Sequence, residues 1–388
     1  MSLAAGRPFL AIPGPSPLPD QVLRDLSRPS PDMYGSELRE VIADVGARLK
    51  RMAGASANLA FYIGNGHAAW EAANVNMLGR GEKALVLASG GFGRGWAEAA
   101  RPLGIDVELQ DSGNLPPDLD QLARRLKDDT EGQIKAVLVC QVDTASSVRV
   151  DIPAVKAAMG DHPALLAVDA IAAFVCEAMR MDDWGVDVLV SASQKGLMGP
   201  PGMAFVWFSD RAAARQSDLV TPYWNWTPRA AAAEVWQYWG GTPPVQLVYG
   251  LKAALDLFDG EGLKQALHRH EVLAKATWAA FDAWGADGSG IRLAVADPAS
   301  RARSVTAATV PQADALRDWC SSVAGLTLGI GLGADDPANA LRVAHMGHVN
   351  AHQMLGTLAV MEAGMVALGI PHGPGAVDAA VRVIAAAS

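Results

Sequence analysis

From Phe61 the chain falls into a rhythm of short, unbroken apolar runs separated by longer stretches with helical spacing. The runs are FYI (61–63), KALVLA (83–88), DVELQ (106–110), KAVLVCQ (135–141), ALLAVDA (164–170), DVLVSAS (187–193) and MAFVWFS (203–209). Apolar residues at nearly every position, rather than at alternate ones, are expected of strands buried on both faces of a parallel sheet. Between them AAWEAANVNML (68–78), Pro117 to Lys127 and Ile152 to Met159 read as helices, and strand–helix alternation of this kind places helices on both faces of the sheet. An earlier helix, Glu37 to Met52, aligns Leu38, Val41, Ile42, Val45, Leu49 and Met52 on one face.

The N-terminal IPGPSPLP (12–19) is too rich in Pro and Gly for a helix and is expected to be extended and rigid. After Pro228 the rhythm changes. VQLVYGLKAALDLF (245–258) and GLKQALHRHEVLAKATWAAFDAW (262–284) predict long bridging helices, followed by short strands RLAVA, SVTAATV, LTLGIG and LRVAHM mixed with helices. The expected fold class is therefore α/β: a large domain (1–260) with a mainly parallel seven-stranded sheet covered by helices, and a smaller α+β C-terminal domain (261–388).

Length agrees with two domains, since 388 residues exceed what one core ordinarily organises. Half the residues are hydrophobic and 19% charged, so long disorder is not expected. A formal charge of −9 argues against nucleic acid as a partner and requires any anionic ligand to be held by local groups. Cys140, Cys176 and Cys320 are far apart and form no CxxC pair, which suits a reducing compartment and argues against a structural metal. No apolar run reaches 18 residues, and Met1 to Leu10 lacks the pattern of a secretory leader. These features predict a cytoplasmic protein without a membrane partner.

Two charges change the picture. Asp169 closes one apolar run and Lys195 ends the run that starts at Val186, so both sit at or beyond the carboxyl ends of strands, where open α/β sheets bind ligands. An amine that condenses with an aldehyde, and an acid that holds a protonated ring nitrogen, are the two groups pyridoxal phosphate requires. At about 4 Å and an effective dielectric near 20, such an acid–pyridinium pair gains roughly 4 kcal/mol before desolvation. The bland alternative is an Asp that caps a helix and a Lys that snorkels to water. The turn after Lys195, with Gly196, Gly199, Pro200, Pro201 and Gly202, leaves the amine little freedom for that.

SASQKGLMGPPG (191–202) resembles the cofactor-lysine segment of the class V, fold type I pyridoxal phosphate aminotransferases, in the alanine, serine or aspartate–glyoxylate branch, and VDAIAA (168–173) resembles their ring-nitrogen segment. The resemblance runs from Ile12 to about Val349. It implies that Lys195 and Asp169 are catalytic, with Ile171 beside them in the cofactor site. Asn65, Gly66 and His67, in a strand-to-helix turn that is itself a candidate anion site, match the phosphate grip, as does Gln194. Phe92 matches the ring against the cofactor's face, and Thr144 the group on its phenolic oxygen, with Ala145 as the other possibility.

Trp239 and Thr242 match a segment that reaches across a dimer to the partner's phosphate, which implies a homodimer with shared active sites. Gly14, in an N-terminal segment (1–20) crossing the site, and Arg342, a planar clamp for a carboxylate, match the substrate-binding positions. Small amino acids and 2-oxo acids are the implied substrates, alanine, serine or aspartate giving the amino group and glyoxylate or pyruvate taking it. A pyridoxamine–pyruvate aminotransferase is an alternative, although Gly331, Leu332 and Gly333 stand where a second arginine is expected. An NAD-dependent dehydrogenase is a distant rival: Glu82 precedes the second strand, where the nucleotide fingerprint needs an acid after it. His345, His348 and His352 lack neighbouring acidic or thiol ligands and predict no metal.

Overall fold

The computed structural model describes residues 2–56, 58–215 and 217–387. In chain order the strands are β1 (Phe9–Ala11), β2 (Asn58–Gly64), β3 (Lys83–Ala88), β4 (Asp106–Asp111), β5 (Ile134–Cys140), β6 (Leu165–Asp169), β7 (Val188–Ala192), β8 (Gly202–Phe208), β9 (Arg292–Leu293), β10 (Val305–Thr309), β11 (Leu326–Ile330) and β12 (Ala340–Ala344). The helices are α1 (Asp20–Asp25), α2 (Ser36–Ala53), α3 (Gly66–Met77), α4 (Gly91–Ala100), α5 (Leu119–Asp128), α6 (Ile152–Met159), α7 (Asp210–Ala213), α8 (Trp226–Ala230), α9 (Val235–Trp239), α10 (Val245–Glu261), α11 (Leu263–Gly285), α12 (Ala313–Ala324), α13 (Ala351–Leu368) and α14 (Ala376–Ala386).

The seven unbroken apolar runs all become strands of one sheet, in the order β2-β8-β7-β6-β5-β3-β4. Strands β4, β3, β5, β6 and β7 are mutually parallel, and β8 runs antiparallel to both β7 and β2. Burial on both faces explains why the runs do not alternate. Leu166 and Val168 of β6 enter one apolar core, whereas Leu165 and Ala167 enter the core on the opposite face. The register then sets the site: Asp169, the last residue of β6, lies between Cys140 of β5 and Val190 of β7.

A second sheet has the order β1-β11-β12-β10-β9 and its own apolar core with α11 to α14. Its first strand comes from the N-terminal segment, where Phe9 pairs with Leu326 and Ala11 with Leu328. Three residues carry too little periodicity to announce a strand, and pairing with a partner more than 300 positions away decides the conformation. RLAVA contracts to Arg292–Leu293, which pair in register with Thr309 and Ala308 of β10. Gly262, at φ +84°, separates α10 from α11; α10 packs on α1 and α2, and α11 on α14. No helix among the described residues is long and apolar enough to cross a membrane.

Candidate active site

A cavity of about 260 Å³ lies at the carboxyl ends of the central strands. Asp169 comes to it from the end of β6, Ile171 from the turn that follows, and Gln194 and Lys195 from the turn after β7. Asn65, Gly66 and His67 come from the start of α3, Phe92 from the start of α4, and Thr144 from the loop after β5. Gly14 closes it from the N-terminal segment. Ten of the thirteen residues expected from the sequence thus meet in one place, and Thr144 rather than Ala145 faces it.

Asp169 is fully enclosed, and burial raises its carboxyl to about 6. Three donors oppose that rise: Ile171 N donates to Oδ1 at 2.6 Å, Trp70 Nε1 to Oδ2 at 2.9 Å, and Cys140 Sγ to Oδ2 at 3.6 Å. The Lys195 amine is brought down to about 8, first by burial and then by Arg342, with Asp169 opposing. Its Nζ donates to the Pro13 carbonyl. Gly14 next to it has φ +97°, and a Cβ there would lie 2.6 to 2.7 Å from the Lys195 stem, so only glycine leaves the lysine its path.

Asp143 fixes the neighbouring turn. Its Oδ2 accepts from Phe92 N at 2.8 Å and Gly93 N at 2.9 Å, its Oδ1 from Ala145 N at 2.9 Å. The first turn of α4, and with it the Phe92 ring, is thereby pinned to the end of β5. At α3, the Asn65 side chain accepts from His67 N at 3.1 Å and caps the helix, so its oxygen is already engaged and its amide nitrogen remains for a ligand.

Three expected residues stand apart. Arg342, on β12, lines an adjoining cavity of about 330 Å³. Its Nε donates to Ile330 O at 2.8 Å and its Nη1 to Thr144 O at 2.9 Å, while Nη2 has no partner among the described residues. Burial brings this guanidinium down to about 10, with Asp143 opposing, and it stays charged at neutral pH. Thr242 is exposed, outside the cavity of its own chain. Trp239 is 1% exposed, its ring centroid 5.3 Å from that of Phe61, and the indole N–H has no partner among the described residues. Trp239 and Phe61 belong to the same apolar core.

Trp70 was not singled out by the sequence, yet it lines the cavity and touches Asp169. It stands three residues after His67 on α3, and helical spacing alone puts the two on one face.

The donor set fits pyridoxal phosphate. A buried acceptor and a buried amine face one cavity, and the start of α3 lines it together with the Gln194 side chain, whose amide group can donate to an anion. Gly66 is packed so closely on Ile171 Cδ1 that a Cβ there would push the Ile171 side chain aside.

A model of the family "Aminotransferase class-V" matches residues 9–324. The serine–glyoxylate aminotransferase of Methylorubrum extorquens is 32% identical, covering 95% of this chain and 94% of the relative. The L-aspartate–glyoxylate aminotransferase of Paracoccus denitrificans is also 32% identical, over 93% and 91% of the two chains. The crystal structure of the pyridoxamine-pyruvate aminotransferase from Mesorhizobium loti superposes with a TM-score of 0.88 at 25% identity, covering 100% of both chains.

Proposed function

Because the chain belongs to the class-V aminotransferases, which use pyridoxal phosphate, we propose that it transfers the amino group of a small amino acid, alanine, serine or aspartate, to glyoxylate or pyruvate. The observation that carries this reading is the single small cavity shared by Lys195 and Asp169. Ordinary ligand pockets span about 300–1,000 Å³. The cofactor would fill most of a space of about 260 Å³, with the substrate carboxylate directed toward Arg342 in the adjoining cavity.

Lys195 would hold the cofactor's aldehyde carbon, Asp169 its ring nitrogen, Phe92 its face and Thr144 its phenolic oxygen, with Asn65, Gly66, His67 and Gln194 around its phosphate and Ile171 packed below. Bound there, the cofactor supplies an electron-withdrawing ring that stabilises negative charge at the substrate's α-carbon. The chain supplies the rest. Near neutral pH an amine at about 8 has a usable neutral fraction, so Lys195 Nζ can accept the α-proton and hand it on. Burial of Lys195 and Asp169 excludes water from that transfer. The free Nη2 and the second Nη1 hydrogen of Arg342 suit the substrate carboxylate, with the Gly14 backbone on its other side.

The working assembly in this reading is a cytoplasmic homodimer. The exposed Thr242 reaches the partner's phosphate, with Trp239, whose indole N–H is unpartnered among the described residues, in the same segment. Each chain is divided near Gly262 into a cofactor domain (1–260) and a C-terminal domain (261–388), with residues 1–20 crossing the site. The test is a panel of amino acids added without acceptor, scored by bleaching of the bound cofactor's visible band. Alanine, serine or aspartate should bleach it within seconds; bleaching confined to large or basic amino acids would overturn the assignment. The likeness to a pyridoxamine-pyruvate enzyme makes pyridoxamine with pyruvate the second reading, and the same panel includes that pair.

A further inference from the structure

We propose that Trp70 is a positioning residue which, through one indole hydrogen bond, keeps the Asp169 carboxylate ionised and aimed at the cofactor ring. This rests on the cofactor assignment above and extends it to a residue outside that set. The bond is 2.9 Å long, from Nε1 to Oδ2, and joins α3 to the end of β6 across 99 positions. Both partners are enclosed, Trp70 at 1% and Asp169 at 3% exposure, so no water replaces either member.

The indole has little freedom to turn away. Trp96 stacks on it at 6.0 Å with 9° between the planes, His67 lies 4.7 Å from it and Phe92 6.3 Å, centroid to centroid. Trp96 is itself tied to the same helix by Nε1 donating to Asn74 Oδ1 at 3.0 Å. A buried carboxylate without donors takes up a proton, and a protonated acid no longer favours a cationic ring nitrogen.

The other groups around Asp169 do not substitute for the indole. Ile171 N serves the opposite oxygen. Cys140, on β5, offers only a weak thiol donor at 3.6 Å, and Asp143 beyond it is a like charge that raises the carboxyl further. Lys195, from the turn after β7, is coupled to Asp169 by charge, and it is occupied when the cofactor is bound. His67 on α3 contacts the indole ring rather than the acid. Trp70 is therefore the only strong side-chain donor to Asp169 among the described residues.

The experiment titrates the Asp169 carboxyl in the cofactor-free protein by infrared difference spectroscopy, with Asp169→Asn assigning the band. In Trp70→Phe the midpoint should rise by about one pH unit, the worth of a hydrogen bond to a charged acceptor. Replacement of Trp70 by 3-benzothienylalanine, which keeps the bicyclic shape and lacks only the N–H, should give the same rise. It decides the matter if the Phe variant does not fold. An unchanged midpoint in the benzothienyl protein overturns the proposal. Pyridoxal phosphate is then added to the wild type and both variants. Weaker binding by the variants at about pH 6 to 7, a defect that fades at alkaline pH where the carboxylate is ionised in every form, supports the role; a wild type that takes up no cofactor at Lys195 defeats the assigned function and leaves the titration result standing.

Discussion

Ser16 Oγ donates to the carbonyl of Lys195 at 2.8 Å, joining positions 179 apart. Ser16 N donates to Gln194 O at 2.9 Å, so the N-terminal segment grips the lysine turn twice. Gly347, at φ +78°, packs on Ser16 and on the Lys195 carbonyl, and its N–H is held by His270 Nε2 at 3.1 Å. Burial keeps His270 neutral, lowering it to about 3, so Nε2 can accept that bond while Nδ1–H donates to Ala266 O at 2.6 Å. The lysine is thus anchored to α11 through a chain of short contacts.

Ser16→Ala should act on this anchor. Met198 N still donates to the Lys195 carbonyl, so the stability loss is limited to about 1 kcal/mol. A lysine free to drift by a fraction of an ångström transfers the proton less well, and kcat should fall roughly tenfold with KM for the amino donor nearly unchanged. Urea unfolding and single-turnover kinetics measure the two effects separately.

Lys195→Met should stabilise the cofactor-free protein while abolishing turnover. With the folded amine at about 8 and the ordinary value at 10.5, the unfolded chain binds a proton between those pH values that the folded chain does not. Wild-type stability therefore rises with pH across that window, and below about pH 8 the penalty is complete, about 3 kcal/mol. Loss of the hydrogen bond to the Pro13 carbonyl offsets roughly 1 kcal/mol of the gain. The Met variant should be more stable by about 2 kcal/mol at pH 7, an advantage that fades by about pH 10.5, and denaturant midpoints across pH report it. Its kcat should drop at least about a hundredfold.

What the sequence made legible, and what it did not, separates along one physical line. Asp169 and Lys195 stood out because a charge at the end of an unbroken apolar run has few structural excuses, and the run itself located the sheet. The partners of those charges were hidden, since hydrogen bonds spanning 99 residues to Trp70 or 179 to Ser16 leave no local pattern. A tryptophan within AAWEAANVNML reads as core, which Trp70 also is. For Trp239 the motif points the N–H to a neighbouring subunit's phosphate, while within its own chain the ring packs beside Phe61, a contact no local pattern announces.

Arg342→Lys should spare the charge and lose the geometry. Lysine has no planar pair of donors, and it cannot serve Ile330 O and Thr144 O while presenting two more hydrogens to a carboxylate. The loss of one charge-assisted bond, about 1.5–3 kcal/mol, raises KM for the amino acid roughly ten- to a hundredfold. Steady-state kinetics with the preferred donor should show this, with the cofactor's visible band unaltered before substrate is added.

Mixing two crippled chains tests whether the site is shared. Thr242 is exposed and outside its own cavity, so Thr242→Ala should weaken the site of the partner rather than its own. Lys195→Ala destroys only the site of the chain that bears it. In a mixed dimer, one site then has both defects and the other has neither, because its lysine comes from the Thr242→Ala chain and its threonine from the Lys195→Ala chain. Unfolding and refolding the two variants together at equal concentration should restore about a quarter of wild-type activity, where each alone gives far less. Activity that stays at the mean of the two separate variants would mean that Thr242 serves no neighbouring site, and the shared-site assembly would have to be abandoned.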